Sequence, residues 1–281
     1  MPAAKLADGA ALHYTEYCYA EPWTRPEPLV LVHGFCRNSN FWYAWIPVLA
    51  RRFRVFAPDL RGCGRSPVPP EGFKWSLEQF RRDLMGFLDA LKIPAAHFVG
   101  ESMGGMVMPY VNSKSPERIL SITCCSSNLG LRGPMAKEMA GGAASMVDAI
   151  ASAPTLEHYI RRTEASRLAP EECGEEARAW YAREWATTPR RLWQEWSEQI
   201  VPQIDVTPEL LAQVKAPLLF IAPTRCVKLP PEEAKFWVEH APDAELAWVD
   251  ASSQALAFAH ADACAALTVD FLRRKAGNRP E

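Results

Sequence analysis

Short apolar runs alternate along this chain with longer segments of helical periodicity, and that rhythm limits the fold more than any other feature. The runs are Leu29–His33, Phe53–Ala57, His97–Gly100, Leu120–Cys125, Leu218–Ala222 and Glu245–Val249. Strands this apolar suit a parallel sheet covered on both faces. The segments Trp42–Ala50, Ser76–Leu91, Gly104–Asn112, Pro231–His240 and Asp262–Lys275 read as helices. Ser76 with Gln79 three residues on has the form of a capping box. The alternation predicts an α/β protein with a doubly wound, mostly parallel central sheet. Residues 5–18 are expected to add an antiparallel hairpin at the sheet edge.

The rhythm stops from about Asn128 to about Val214, where no strand pattern is visible and Trp180, Trp185, Trp193 and Trp196 lie among many Glu and Arg residues. This stretch reads as a helical cap inserted into the sheet domain. The expected division is a core of residues 1–127 and 215–281 with a cap of residues 128–214. Large aromatics at helical spacing usually pin helices together; contact with a ligand is the alternative reading. A chain of 281 residues accommodates this as one domain with an insertion.

Composition narrows the function classes. A formal net charge of −2 gives no global attraction to nucleic acid or to an anionic membrane. No apolar run reaches the roughly 18 residues of a membrane span, and the start MPAAKLADGA lacks the apolar stretch of a secretory signal. The eight cysteines are scattered, with neither a CxxC pair nor a zinc spacing with the six histidines. That usage points to a cytoplasmic protein without a disulfide framework, metal or cofactor, whose partner is a small molecule.

Three motifs carry chemistry. Gly100-Glu101-Ser102-Met103-Gly104 is a G-x-S-x-G sequence between a strand pattern and a helix pattern. A sharp turn there needs small residues on both sides of the serine and lifts its hydroxyl above the sheet. His33-Gly34-Phe35 follows a buried strand, and Asp59-Leu60-Arg61-Gly62-Cys63-Gly64-Arg65-Ser66 follows another. In order and separation these motifs resemble the α/β-hydrolase superfamily, in particular its esterase, enol-lactonase and carbon–carbon-bond hydrolase group. The resemblance spans nearly the whole chain outside the cap. It implies that Ser102 attacks a carbonyl carbon and that the backbone N–H groups of Phe35 and Met103 form the oxyanion hole. Each such donor is worth on the order of 3–4 kcal/mol in comparable sites. His33 then corresponds to a structural loop histidine.

The resemblance breaks at the other two members of the triad. In this superfamily an acid follows the next-to-last strand and a histidine follows the last. Aligned on Pro230, the acid position holds Cys226, and the histidine position holds Gln254. Glutamine has no group that takes a proton near pH 7, and a serine hydroxyl is a weak nucleophile without a base. Asp250, His158 and His260 are the nearby substitutes to consider, with a relocated base less expected at His260 than a structural role. Ser126-Ser127-Asn128, where some relatives carry the acid, offers no carboxylate.

Three functions remain open. One is a hydrolase acting on a small apolar ester, lactone or C–C bond substrate through Ser102 with an unusual base. Another is a non-hydrolytic enzyme, of lyase or cofactor-free oxygenase type, that uses the oxyanion hole alone. The third is a ligand-binding pseudoenzyme. The pocket is expected to be mainly apolar, lined by Phe35, Met103, Phe258 and one or more cap tryptophans, with Arg37 and Asn38 as polar anchors.

Overall fold

The computed structural model describes residues 2–130, 140, 142–165 and 167–276. Eight strands form one sheet in the order β1-β2-β4-β3-β5-β6-β7-β8. They are β1 (Ala3–Lys5), β2 (Ala11–Tyr17), β3 (Pro28–Val32), β4 (Arg54–Pro58), β5 (Ala96–Glu101), β6 (Ile119–Cys125), β7 (Leu218–Pro223) and β8 (Ala244–Val249). β1 and β2 form the edge hairpin and β2 pairs antiparallel with β4; every other pairing is parallel. All six residues of β5 and all six of β7 are buried. One core cluster contains Val30, Val32, Phe56, Phe98, Ile122 and Phe220, and a second contains Leu29, Leu31, Val55, Val99, Cys125 and Ile221. Alternate side chains of the same strands thus fill opposite faces, as the two-residue strand period requires.

Most expected helices are present, with two breaks. The segment 42–50 is a 3-10 turn at Ser39–Trp42 followed by helix α1 at Ile46–Leu49. Helix α2 covers Leu77–Ala90; Ser76 Oγ accepts from Gln79 N–H at 3.1 Å, while the Gln79 amide turns to Asp83, so only half of a capping box forms. After Ser102 the chain makes α3 (Met103–Met106) and then α4 (Met108–Lys114), with Pro109 at the start of the second piece. The proline lacks the N–H that an uninterrupted helix would use.

The cap contains α5 (Met146–Ser152), α6 (Leu156–Arg162), α7 (Glu175–Trp185) and α8 (Arg190–Gln199), followed by α9 (Pro208–Leu211), and no strand among the described residues. Residues 131–139, 141 and 166 of the expected cap, and 277–281 of the expected core, lie outside the described residues. Helix α10 (Pro231–His240) lies between β7 and β8, and α11 (Leu256–Ala259) and α12 (Ala261–Ala276) follow β8. No helix among the described residues is long and apolar enough to cross a membrane.

The turn between β5 and α3 is the tightest part of the fold. Ser102 has φ 51° and ψ −122°, a conformation disfavoured for a residue with a side chain. A Cβ on Gly104 would lie 2.1 Å from the Val32 carbonyl oxygen, and one on Gly100 would lie 2.5 Å from Gly104. Both contacts are with backbone, which has no rotamer by which to yield. Gly104→Ala is therefore expected to cost about 3 kcal/mol or more of stability. Urea denaturation followed by circular dichroism checks this; an unchanged midpoint would refute the packing account.

Candidate active site

Ser102 sits under the cap at the carboxyl end of the central strands, with 9% of its surface exposed. It lines a small, partly open cavity. Phe35, Met103, Met106, Met146, Trp185, Val201 and Ile204 supply its apolar wall, and Arg37, Ser102, Arg167 and Gln254 are its polar members. This balance of lining suits a small, mostly apolar molecule held at a few polar points.

The hydroxyl of Ser102 has one polar neighbour among the described residues. Gln254 Nε2 lies 3.5 Å from Ser102 Oγ and donates to the Ser126 carbonyl at 3.2 Å. The amide thus presents N–H to the serine oxygen, which is the reverse of what a general base does. Cys226 is buried in the loop after β7. Among the described residues neither Phe35 N–H nor Met103 N–H has a hydrogen-bond acceptor. The Phe35 carbonyl, in contrast, is held by Trp185 Nε1 at 2.7 Å.

The substitute bases lie elsewhere. Asp250 is exposed and accepts from Thr224 Oγ1 at 3.0 Å. His158 is exposed in the first turn of α6, and its backbone N–H is capped by Thr155. His260 Nε2 lies 3.1 Å from Glu172 Oε2, an ion-pair distance without hydrogen-bond alignment. None of the three lines the Ser102 cavity.

Two expected substrate contacts need correction. Asn38 does not reach the cavity: its Oδ1 caps the turn at Asn40 N–H and its Nδ2 donates to Glu184 Oε1 of the cap at 2.7 Å. Phe258 faces a separate outer groove with Tyr17, Tyr43 and Trp180, where its ring stacks on Trp180 at 5.8 Å. The sequence position beside the Gln254 loop was misleading because α11 turns Phe258 outward. Arg37 does line the cavity, but its Nη1 is committed to Glu101 Oε2 at 2.5 Å and its Nη2 to the Tyr181 hydroxyl. Burial pushes the Glu101 carboxyl up, and the adjacent Arg37 guanidinium opposes that. The cap tryptophans differ in their surroundings. Trp193 and Trp196 are fully buried and pack edge-on against Phe35, whereas Trp185 is a cavity wall.

Three site residues had no usable signal in the sequence. Arg167, from an irregular cap segment, is buried in the cavity wall with its guanidinium 4.9 Å from the Trp185 ring centroid. Ser126 adopts φ 50° and turns its carbonyl to Gln254. Glu172 accepts from Ser252 N–H at 2.6 Å, Ser252 Oγ at 2.9 Å and Ser253 N–H at 3.0 Å. Burial alone would raise its carboxyl; the hydrogen bonds from Ser253 and Ser252 and the contact with His260 outweigh that and bring it to about 2. Such partners are long-range, and no local spacing announces them.

His33 ties the oxyanion loop to the Asp59 loop. Leu60 N–H donates to its Nε2 at 3.0 Å, so Nδ1 carries the proton and donates to the Gly34 carbonyl at 2.9 Å. Full burial, only partly offset by the Gly34 carbonyl and Asp59, lowers its pKa to about 4. The unfolded chain then takes up this proton near pH 6.5 and the folded one near pH 4, so stability falls as pH drops through that window. The loss is on the order of 3 kcal/mol. Denaturant midpoints measured from pH 7 to pH 4 should show this slope in the parent and a shallower one in His33→Gln; identical slopes would remove His33 as its source.

Residues 27–159 match a family model described as the alpha/beta hydrolase fold. The strand order agrees with it, and the chain has the α/β-hydrolase fold. A 2-hydroxymuconate semialdehyde hydrolase from a Pseudomonas strain is 34% identical over 108 residues, covering 36% of this chain and 36% of that protein. The bifunctional epoxide hydrolase 2 of Sus scrofa is 38% identical over 118 residues, which is 42% of this chain and 20% of the enzyme. The matched stretches thus span well under two thirds of these curated relatives. Two solved structures extend the likeness of fold to nearly the whole chain. A hydrolase from Pseudomonas aeruginosa superposes with a TM-score of 0.82 at 24% identity, covering 96% of this chain and 97% of that one. The enol-lactonase from Burkholderia xenovorans superposes with a TM-score of 0.74 at 23% identity, covering 97% and 100%.

Proposed function

We propose that this protein binds a small, mainly apolar carbonyl compound over Ser102, with its carbonyl oxygen held by the Phe35 and Met103 N–H groups, and that it does so without a serine–histidine–acid relay. The observation that carries the reading is the pairing of two open backbone donors with a glutamine amide at the serine. The donors stabilise negative charge developing on the ligand oxygen. Gln254 donates towards Ser102 Oγ and takes no proton from it, so the hydroxyl stays a neutral hydrogen-bond donor rather than a strong nucleophile. Relatives named as hydrolases of carbonyl compounds support the ligand class. Binding and oxyanion stabilisation alone leave roughly 10³–10⁴-fold acceleration over water in serine hydrolases stripped of their triad. The activity expected here is of that order.

A fluorophosphonate probe at neutral pH should label Ser102 slowly or not at all. Rapid stoichiometric labelling, detected by intact-mass spectrometry, would reveal a base that this reading lacks.

The reading also specifies its own repair. Cys226 takes the place of the relay acid and Gln254 that of the histidine, so Cys226→Asp with Gln254→His should raise turnover of p-nitrophenyl acetate above the parent and above either single variant. Triad members act as a unit, and a carboxylate at 226 without an imidazole is an unpaired buried charge. Adding Ser102→Ala should abolish the gain. A folded double variant with no Ser102-dependent gain would show that these two loops do not occupy the acid and histidine positions.

A further inference from the structure

We infer that Gln254 makes the site selective for carbonyl compounds that carry an N–H group beside the carbonyl, as a secondary amide does. The inference rests on the carbonyl-binding reading and adds to it the identity of the neighbouring atom.

The argument begins with the orientation of the Gln254 amide. Ser126 has φ 50°, its N–H is held by the Ile221 carbonyl at 2.9 Å, and its own carbonyl points at the Gln254 side chain. A carbonyl oxygen there accepts a hydrogen bond from Nε2 and would repel Oε1. The flip of the amide is therefore set by a backbone group that is itself anchored. Nε2 is occupied by Ser126 O and faces Ser102 Oγ. Oε1 is then left with no donor among the described residues, yet it is not one of the sealed polar atoms of the interior. Gln254 lines the cavity, and in the proposed binding mode its unpaired acceptor faces that space.

The backbone on both sides of Gln254 is fastened to one cap segment. Ser253 Oγ accepts from Ala169 N–H at 2.9 Å, Ala255 N–H donates to the Arg167 carbonyl at 2.9 Å, and Glu172 takes the N–H groups of Ser252 and Ser253. The reader is thus held rigidly, which limits the ordering cost when a ligand binds.

Together these groups present two N–H donors for a ligand oxygen and, at Gln254, one acceptor for a ligand hydrogen. A secondary amide meets both. An ester meets the donors but sets its alkoxy oxygen against Oε1, oxygen against oxygen. A carboxylate does so with a full negative charge. Sites that hydrogen-bond a ligand N–H or O–H discriminate strongly against analogues lacking it, because a buried polar group is otherwise left unpaired. Gln254 does not titrate, so this preference is the same at all moderate pH values.

The test compares N-methylhexanamide, methyl hexanoate and hexanoate. The first two differ by the exchange of N–H for O at one position. Binding is read from the methyl signals of Met103, Met106 and Met146 in protein labelled at methionine methyl groups, since all three line the cavity. The amide should bind at least ten-fold more tightly than the ester, and hexanoate should bind more weakly than the amide. In Gln254→Met the amide-to-ester ratio should fall to within about two-fold, the amide binding more weakly and the ester, freed of the opposing oxygen, more tightly. Gln254→Asn, which keeps an amide but withdraws it by one methylene, should also lose most of the ratio and serves if the methionine variant does not fold. Equal affinities in the parent, tighter binding of hexanoate, or a ratio that survives both substitutions would overturn the inference. If amide and ester bind equally at these methionines, the carbonyl-binding reading stands and only the selectivity is lost. If neither shifts them, both readings fall.

Discussion

The close approach of the strand β3 backbone to the turn at Ser102 is the constraint on which the rest of this structure depends. Gly104 lies against the Val32 and His33 carbonyls, and Gly34 lies against Glu101 and the Ser102 side chain. These contacts set the loop after β3 and the turn at Ser102 side by side, so that Phe35 and Met103 line one cavity although 68 residues separate them in sequence. The left-handed Ser102 is strained, and the surrounding backbone contacts hold it there. Much of the neighbouring polar network serves the same placement. His33 bridges the loops after β3 and β4, and Asp59 takes Ser39 N–H and Arg65 N–H.

Charge near the elbow is balanced locally. The Arg37–Glu101 pair lies directly behind the serine, and each side chain is almost fully removed from solvent. Taking two charges out of water costs several kcal/mol per ion, recovered only when the geometry is good, so such a pair is not in itself a source of stability. Its consequence is positional. Tyr181 of α7 completes the cluster, which couples the cap to the floor of the site. On the other side of the cavity Glu172 performs a comparable task for the loop after β8. That loop presents a neutral amide to Ser102, oriented by the Ser126 carbonyl.

Much of this was legible in the sequence, for reasons that differ from element to element. Buried parallel strands need unbroken apolar runs, so β3 to β7 could be placed within a residue or two. The elbow was readable because only glycine fits at positions 100 and 104, two residues to either side of Ser102. The break between α3 and α4 was written in Pro109, yet an apolar helical pattern running across it concealed the interruption. Asn38 and Phe258 illustrate the limit. Each sits near the site in sequence, but Asn38 is drawn into capping a turn and holding Glu184, and Phe258 is carried to an outer groove by the helix that bears it.

By itself the sequence determined the α/β architecture, the run of buried strands and the turn that carries Ser102. Those properties depend on local pattern: side-chain period, glycine placement and residue identity at a fixed offset from a strand end. Only the tertiary structure decided what faces what. The cavity wall formed by Arg167 and Trp185, the hold of Glu172 on the Gln254 loop and the direction of the Gln254 amide all join residues about 20 to 130 positions apart. Such contacts are set by how helices pack on the sheet and by which buried polar groups must find partners. No spacing within a single stretch of chain encodes them.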